Sequence, residues 1–180
     1  MSHPINDHLN LEIYQESSSI IPVILIEGNN QTILINTGSK RFLHDLQNRL
    51  KTKGIHKVNQ LILMDNKSAF SGNLTELTKS TNSTEVMLLT KSGRLPKGFK
   101  EMDNLVYWNK TQLSKYNCKI QRINDQIHIT LGQKNNRIEI TFDYTENSHS
   151  ELRIRHNNDI INHKFHYSYN PKRYNYKLKF

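Results

Sequence analysis

The chain has 180 residues, 35% of them hydrophobic, and a formal charge of +9 from 25 Lys and Arg against 16 Asp and Glu. That length suits one domain, residues 1–180, with a core of its own, and the basic excess suits a polyanionic partner, nucleic acid or an anionic membrane surface. No apolar run is long enough to cross a bilayer, residues 1–10 lack the layout of a signal peptide, and a single Cys118 excludes an internal disulfide, so a soluble, cytoplasmic protein is expected.

Leu9, Leu11 and Ile13 alternate with Asn10, Glu12 and Tyr14, the pattern of a strand with one buried face. Residues 20–27 are rich enough in Ile and Val to form a strand buried on both faces, with Pro22 tolerated near its start. Gly28-Asn29-Asn30 turns the chain back into a strand over 32–36. Ser39 is placed to cap a helix carrying Phe42, Leu43, Leu46 and Leu50 at helical spacing, ended by Gly54. Ile55 and Val58 lead into a buried strand over 60–64, Leu74 and Leu77 mark a short helix, and residues 85–89 form the next strand. The first half therefore reads β-β-β-α-β-α-β.

Residues 90–104 read as a loop carrying Lys91, Arg94, Lys97 and Lys100. A brief strand is expected over 105–108 and a helical turn over 111–116. Short strands closed by Gly and Asn turns follow at 119–123, 127–131, 137–144 and 151–156, which predicts an antiparallel second sheet. In the tail, Phe165, Tyr167 and Tyr169 alternate, Asn170 to Arg173 turn, and Tyr174, Tyr176, Leu178 and Phe180 alternate again. Residues 160–180 thus read as a terminal hairpin with one aromatic face and a polar face bearing His166, Asn175, Lys177 and Lys179.

Two strands, at 32–35 and 61–64, each end in a polar loop followed by a helix, and ligands of open α/β sheets gather at such carboxyl ends. The stretches Thr32 to Gly38 and Leu61 to Leu74 resemble the metallo-β-lactamase fold, most closely the soluble domain of ComEC-type competence proteins, which take part in DNA uptake. The resemblance covers roughly residues 9–156. It implies an α/β fold, a truncated αββα sandwich with a mixed first sheet and an antiparallel second one. Asn36-Thr37-Gly38 matches the family's Asp-Thr-Gly-like turn. On the family's His-x-His-x-Asp-His loop the metal positions fall on Asp65, Lys67, Ala69 and Phe70, with Gly72-Asn73 in place of a Gly pair. An ammonium, a methyl and a phenyl ring cannot ligate zinc, and Asp65 alone offers an oxygen.

The chain departs from the family elsewhere too. The loop from Gln15 to Ser19 is not Gly-rich, and Ile160-Ile161-Asn162-His163 stands where a Gly-Asp ligand is expected. Phe70 is expected to fill the volume of the lost metal, and Asp65 to make an Asx turn, cap the next helix, or face Lys67 or a neighbouring strand end. Of nine His, His163 and His166 are the closest pair, but three apart on a strand they point to opposite faces. There is no phosphate-cradling Gly loop, nucleophile elbow or Cys pair at metal spacing.

The reading is a degenerate, non-catalytic domain with no cofactor and no metal. Its first function class is a nucleic-acid binding module taking single- or double-stranded DNA, or RNA. Phosphates would meet Arg153, Arg155, Lys164, Lys172, Arg173, Lys177 and Lys179, and bases would stack on Tyr174 and Tyr176. The same aromatics could equally be core. The second class is an interaction subunit that pairs with a complete partner through its unfinished sheet, and the third is a hydrolase with a rebuilt site.

Overall fold

A computed structural model describes residues 8–28, 30–82, 85–89, 105–108, 112–115, 118–132, 137–145 and 149–179. The expected loop at 90–104 lies outside them. β1 (His8–Gln15), β2 (Pro22–Gly28) and β3 (Gln31–Ile35) form an antiparallel run. β4 (Gln60–Leu63), β5 (Val86–Leu89) and β6 (Leu105–Trp108) continue it in parallel. The second sheet is antiparallel throughout: β7 (Gln112–Lys115), β8 (Cys118–Ile123), β9 (Gln126–Leu131), β10 (Ile138–Thr145), β11 (His149–His156) and β12 (Asp159–His166). The last strand, β13 (Lys172–Lys179), returns to the first sheet beside β1, giving the order β13-β1-β2-β3-β4-β5-β6. The expected fold class is observed: α/β, two sheets, the first mixed and the second antiparallel.

Period-2 alternation sorts each strand's side chains into two layers. Ile24, Ile35, Ile62 and Met87 from one sheet meet Ile120, Ile129, Ile140, Phe142 and Ile154 from the other in a continuous apolar interior. On the far side of the first sheet, Val23, Leu25, Leu61 and Leu63 pack against Leu46 and Leu50 of α1 (Leu43–Thr52) and Leu74 and Leu77 of α3 (Leu74–Ser80). The doubly buried β2 is thus as the sequence implies. Four-residue α2 (Ser68–Ser71) sits at the end of the interior, with Phe70 inside it. Among the described residues no helix covers the outer face of the six-stranded sheet, and its alternate positions are the polar ones expected of a solvated antiparallel face.

Four expectations are corrected. Residues 160–180 are not a hairpin: β12 pairs with β11 in one sheet and β13 with β1 in the other, over eight register pairs. Alternation says which residues share a face, not which strand is the neighbour. The free edge of β1 offers β13 a full ladder, while Tyr174, Tyr176 and Leu178 still point into the shared interior. The helical turn at 111–116 is instead β7. Ser39 does not cap a helix; its hydroxyl donates to the Glu16 carboxylate at 2.9 Å, and a 3₁₀ turn over Lys40–Phe42 precedes α1. From Leu11 to Gln15, β1 is buried on both faces, Glu12 and Tyr14 included, because β13 flanks it and the end of α1 lies over it; Asn10 alone of the expected polar face is exposed.

Glu12 and Tyr14 anchor a charged cluster at that junction. Lys53, at the C-terminus of α1, reaches Glu12 at 2.7 Å and Glu27 at 2.5 Å. Arg173 of β13 reaches Glu12 at 3.1 Å, and the Tyr14 hydroxyl donates to the same carboxylate. The guanidinium carbons of Arg49 and Arg173 lie 4.7 and 5.8 Å from the centre of the Tyr14 ring. Burial pulls the Glu12 pKa upward, but bonds from Lys53 and Tyr14 and the Arg173 charge outweigh it, so the pKa is lowered. Burial and the Glu12 carboxylate raise that of Tyr14.

Candidate functional site

The loops after β3 and β4 do lie side by side, at the carboxyl ends of the parallel strands. Asn36, with φ 62°, leaves the extended conformation, an asparagine's usual tolerance. Its amide donates to Pro22 O at 3.0 Å, and its Oδ1 accepts from Met64 N at 3.1 Å, locking the two strand ends together. Thr37 N donates to Phe70 O at 2.7 Å, and Thr37 Oγ1 accepts from Asn73 N at 3.1 Å. Asn73 Nδ2 donates to Thr37 O at 2.9 Å and Ser39 O at 2.5 Å. The two loops are thus stitched together through buried Thr37 and Asn73.

Gly72 is where they meet most closely. A Cβ added there lies 2.6 Å from Ser68 O and 2.9 Å from Gly38 O, both backbone atoms that cannot swing aside. Gly72→Ala is therefore expected to destabilise the protein by about 1–3 kcal/mol, read as a lower urea midpoint. An unchanged midpoint means the two loops are not held at this distance.

The centre of this end is filled. Phe70 is 1% exposed, its ring edge-on to Phe142 and Tyr144 at centroid distances of 6.3 and 5.7 Å. Ala69 packs against the same interior. The Lys67 ammonium stands over the Tyr144 ring at 5.4 Å. Asp65 is buried; its Oδ1 accepts from Asn66 N at 2.6 Å and its Oδ2 lies 3.6 Å from Arg122. Asp65 neither caps the following helix nor faces Lys67, since that helix's N-cap, Asn73, belongs to the loop stitching. Arg122 also donates to Met64 O at 3.3 Å. It was missed from sequence although a signal exists, since it occupies an inward parity position of β8 in line with Cys118 and Ile120. Glu16 is buried nearby, and that burial raises its pKa against the pull of the Ser39 bonds.

No known family profile matches the chain, and no curated protein does. Solved structures similar to it are metallo-β-lactamase-fold proteins. BJP-1, a subclass B3 metallo-β-lactamase of Bradyrhizobium japonicum, is 13% identical with a TM-score of 0.46, covering 68% of this chain and 55% of its own. The metallo-β-lactamase fold protein YhfI from Bacillus subtilis is 10% identical with a TM-score of 0.46, covering 87% and 61%. A diphosphatase of the PhnP family is 12% identical with a TM-score of 0.43, covering 74% and 61%. The chain thus spans less than two thirds of the length of each. Likeness at this level says nothing of what the chain binds.

The donors present do not fit the metal that the sequence resemblance brings with it. Two of the four positions, Ala69 and Phe70, carry no donor, Lys67 is an ammonium, and Asp65 is engaged by Arg122. Among the described residues no group of three or more His, Cys, Asp or Glu is placed to hold an ion.

The nine residues expected to bind nucleic acid do not share one face. Arg153, Arg155 and Lys164 lie exposed on the outer face of the six-stranded sheet. Arg153 donates to Asn162 at 3.1 Å, and Lys164 pairs with Glu151 at 3.1 Å. Arg153 and Lys164, but not Arg155, border a shallow depression of about 490 Å³ lined also by Thr141 and Asp143. Arg173 and Lys177 point the opposite way, to the helix side of the first sheet, where Arg173 is held by Glu12. Lys172 is exposed at the start of β13; the side chain of Lys179 lies outside the described residues. Tyr174 and Tyr176 are half-buried, their rings 4.3 and 5.5 Å from that of His163, whose Nε2 bonds the Tyr176 hydroxyl. Burial lowers the His163 pKa. His166 is exposed on the other side of β12, as strand alternation requires.

Proposed function

We propose that the protein is a non-catalytic relative of the soluble domain of ComEC-type competence proteins that binds nucleic acid through the outer face of its six-stranded sheet. What carries this reading is that face itself. No helix covers it among the described residues, and it presents Arg153, Arg155 and Lys164 together in a chain of charge +9. Lys119 and Arg137 lie on the same sheet, and Glu139, Asp143 and Glu151 share the face with them. Two of these carboxylates pair with the cations, Glu151 with Lys164 at 3.1 Å and Glu139 with Arg137 at 2.7 Å. The relation to competence proteins is supported by the order of elements in the first half and by the retained Asn36-Thr37-Gly38 turn.

Retention of a labelled oligonucleotide as a function of salt tests this. Replacing Arg153, Arg155 and Lys164 together by alanine is expected to flatten the log–log salt dependence by about 2 units, at about 0.7 per phosphate contact on a single strand. Replacing Lys51, Lys57 and Lys177, which lie away from that face, is expected to leave the slope in place. The reverse result moves the binding surface to the helix side. Absence of salt-sensitive binding by the unaltered protein removes the reading and favours the interaction subunit, for which the edge strands β6 and β13 of one sheet and β7 and β12 of the other are the places to pair.

A further inference from the structure

Beyond the sheet face, the crossover between β12 and β13 presents two large aromatic rings to solvent. Tyr167 is 60% exposed and Tyr169 is 94% exposed. The remaining aromatics whose burial is described lie in or against a core: Phe42, Phe70, Phe142, Phe165 and Tyr14 are buried, and Tyr144, Tyr174 and Tyr176 pack on the interior. The two exposed rings therefore contribute little to folding, although ring surface left in water is unfavourable.

The segment that carries them is held in place. Gln15 Nε2 donates to His166 O at 2.6 Å, just before Tyr167, and Ser18 N donates to Ser168 O at 2.6 Å, between the two tyrosines. Ser168 Oγ donates to Asn170 O at 3.0 Å, and Pro171 then fixes the backbone into β13. A ring on an anchored segment loses less conformational freedom on binding than one on a loose loop.

Lysines lie on both sides of the rings. Lys164 occupies the outer face of β12, three residues before Tyr167, and exposed Lys172 follows Tyr169. The loop bonded to Ser168 also carries Glu16, which accepts from Ser39 N and Oγ; the residues after Ser39 are exposed Lys40 and Arg41. Asn162, bonded to Arg153, is five residues before Tyr167, about 16 Å along an extended strand. One short oligonucleotide covers that distance, since single-strand sites of this kind take roughly 4–16 nucleotides.

We propose that Tyr167 and Tyr169 form a base-stacking platform, which makes single-stranded nucleic acid the ligand, its backbone led onto the rings by Arg153 and Lys164. This rests on the nucleic-acid reading above and adds the strand type and the residues that select it. A duplex keeps its base faces stacked inside and offers these rings nothing, whereas an unpaired strand offers every base. The platform replaces Tyr174 and Tyr176 in that role, because their rings are occupied by His163.

Fluorescence anisotropy across a salt series, with labelled oligothymidine of about 12 nucleotides and a duplex of equal length, tests the proposal. The Tyr167→Ala/Tyr169→Ala protein is expected to lose about tenfold or more in affinity for the single strand. Its duplex affinity, salt slope and melting temperature should stay at the wild-type values. The Tyr167→Phe/Tyr169→Phe protein should bind like wild type. If the alanine pair binds the single strand as wild type does while the Arg153, Arg155 and Lys164 variant loses salt-sensitive binding, the platform is overturned and the sheet-face reading stands. If wild type binds neither probe, both fall together.

Discussion

Replacing Phe70 by alanine is expected to lower stability by about 3–5 kcal/mol, the usual range for emptying a fully buried phenyl site. Phe70 is 1% exposed and meets the edges of Phe142 and Tyr144, so truncation leaves a void between two sheets whose backbones are fixed by full hydrogen-bond ladders. The neighbouring Lys67→Ala removes an exposed cation that stands over the Tyr144 ring, a contact worth about 0.5–1 kcal/mol, and is expected to cost clearly less than Phe70→Ala. Urea denaturation of both variants compares the two. Similar small losses at both positions would mean that α2 does not plug the end of the sandwich and that Phe70 has not taken over the volume a ligated ion holds in metal-binding sandwiches.

The second large effect is expected at Glu12. Glu12→Ala deprives the buried Tyr14 hydroxyl of its acceptor and half-exposed Arg173 of its carboxylate, while Lys53 keeps Glu27, so the expected cost is about 1.5–3 kcal/mol. The isosteric Glu12→Gln keeps the packing and isolates the charge. Because the folded-state pKa of Glu12 is lowered from 4.5, its contribution is present above that pH and is lost as pH falls through the folded value. Lys53 is shifted the other way: its raised pKa gives stability below 10.5 that is lost as pH rises through the folded value. The stability advantage of wild type over Glu12→Gln should therefore be level around neutrality and shrink on acidification below about 4.5, measured by urea midpoints across pH. A difference independent of pH down to strong acid would show that the cluster is held by shape and not by charge.

Much of the architecture is legible in the sequence because alternation and helical spacing are local properties. The Leu9, Leu11, Ile13 alternation, the double-faced apolar run at 20–27 and the Phe42 to Leu50 spacing report burial on a strand or helix whatever its neighbours are. The placing of Phe70 in a core was legible from its type: a phenyl ring without a polar atom, among polar residues in the loop after an apolar strand, is stabilised by burial. That Lys67, Ala69 and Phe70 offer zinc no donor needed no structure at all, since donor chemistry belongs to the residue type.

Pairing across the chain was not legible. The tail alternates as well for a hairpin as for two strands in opposite sheets, and what decided was the free edge of β1, more than 150 residues away in the sequence. The same event buried Glu12 and Tyr14, which read as a solvated face while β1 was considered alone. It also divided the expected phosphate contacts, because the outer faces of two stacked sheets point in opposite directions. The sequence by itself determined which side chains share a strand face, which positions could not hold a metal, and the overall positive charge. Tertiary structure alone decided which cations stand together and which tyrosines reach solvent. Those depend on non-local ladders, whose hydrogen bonds join backbone groups of any sequence and so leave no residue-level mark.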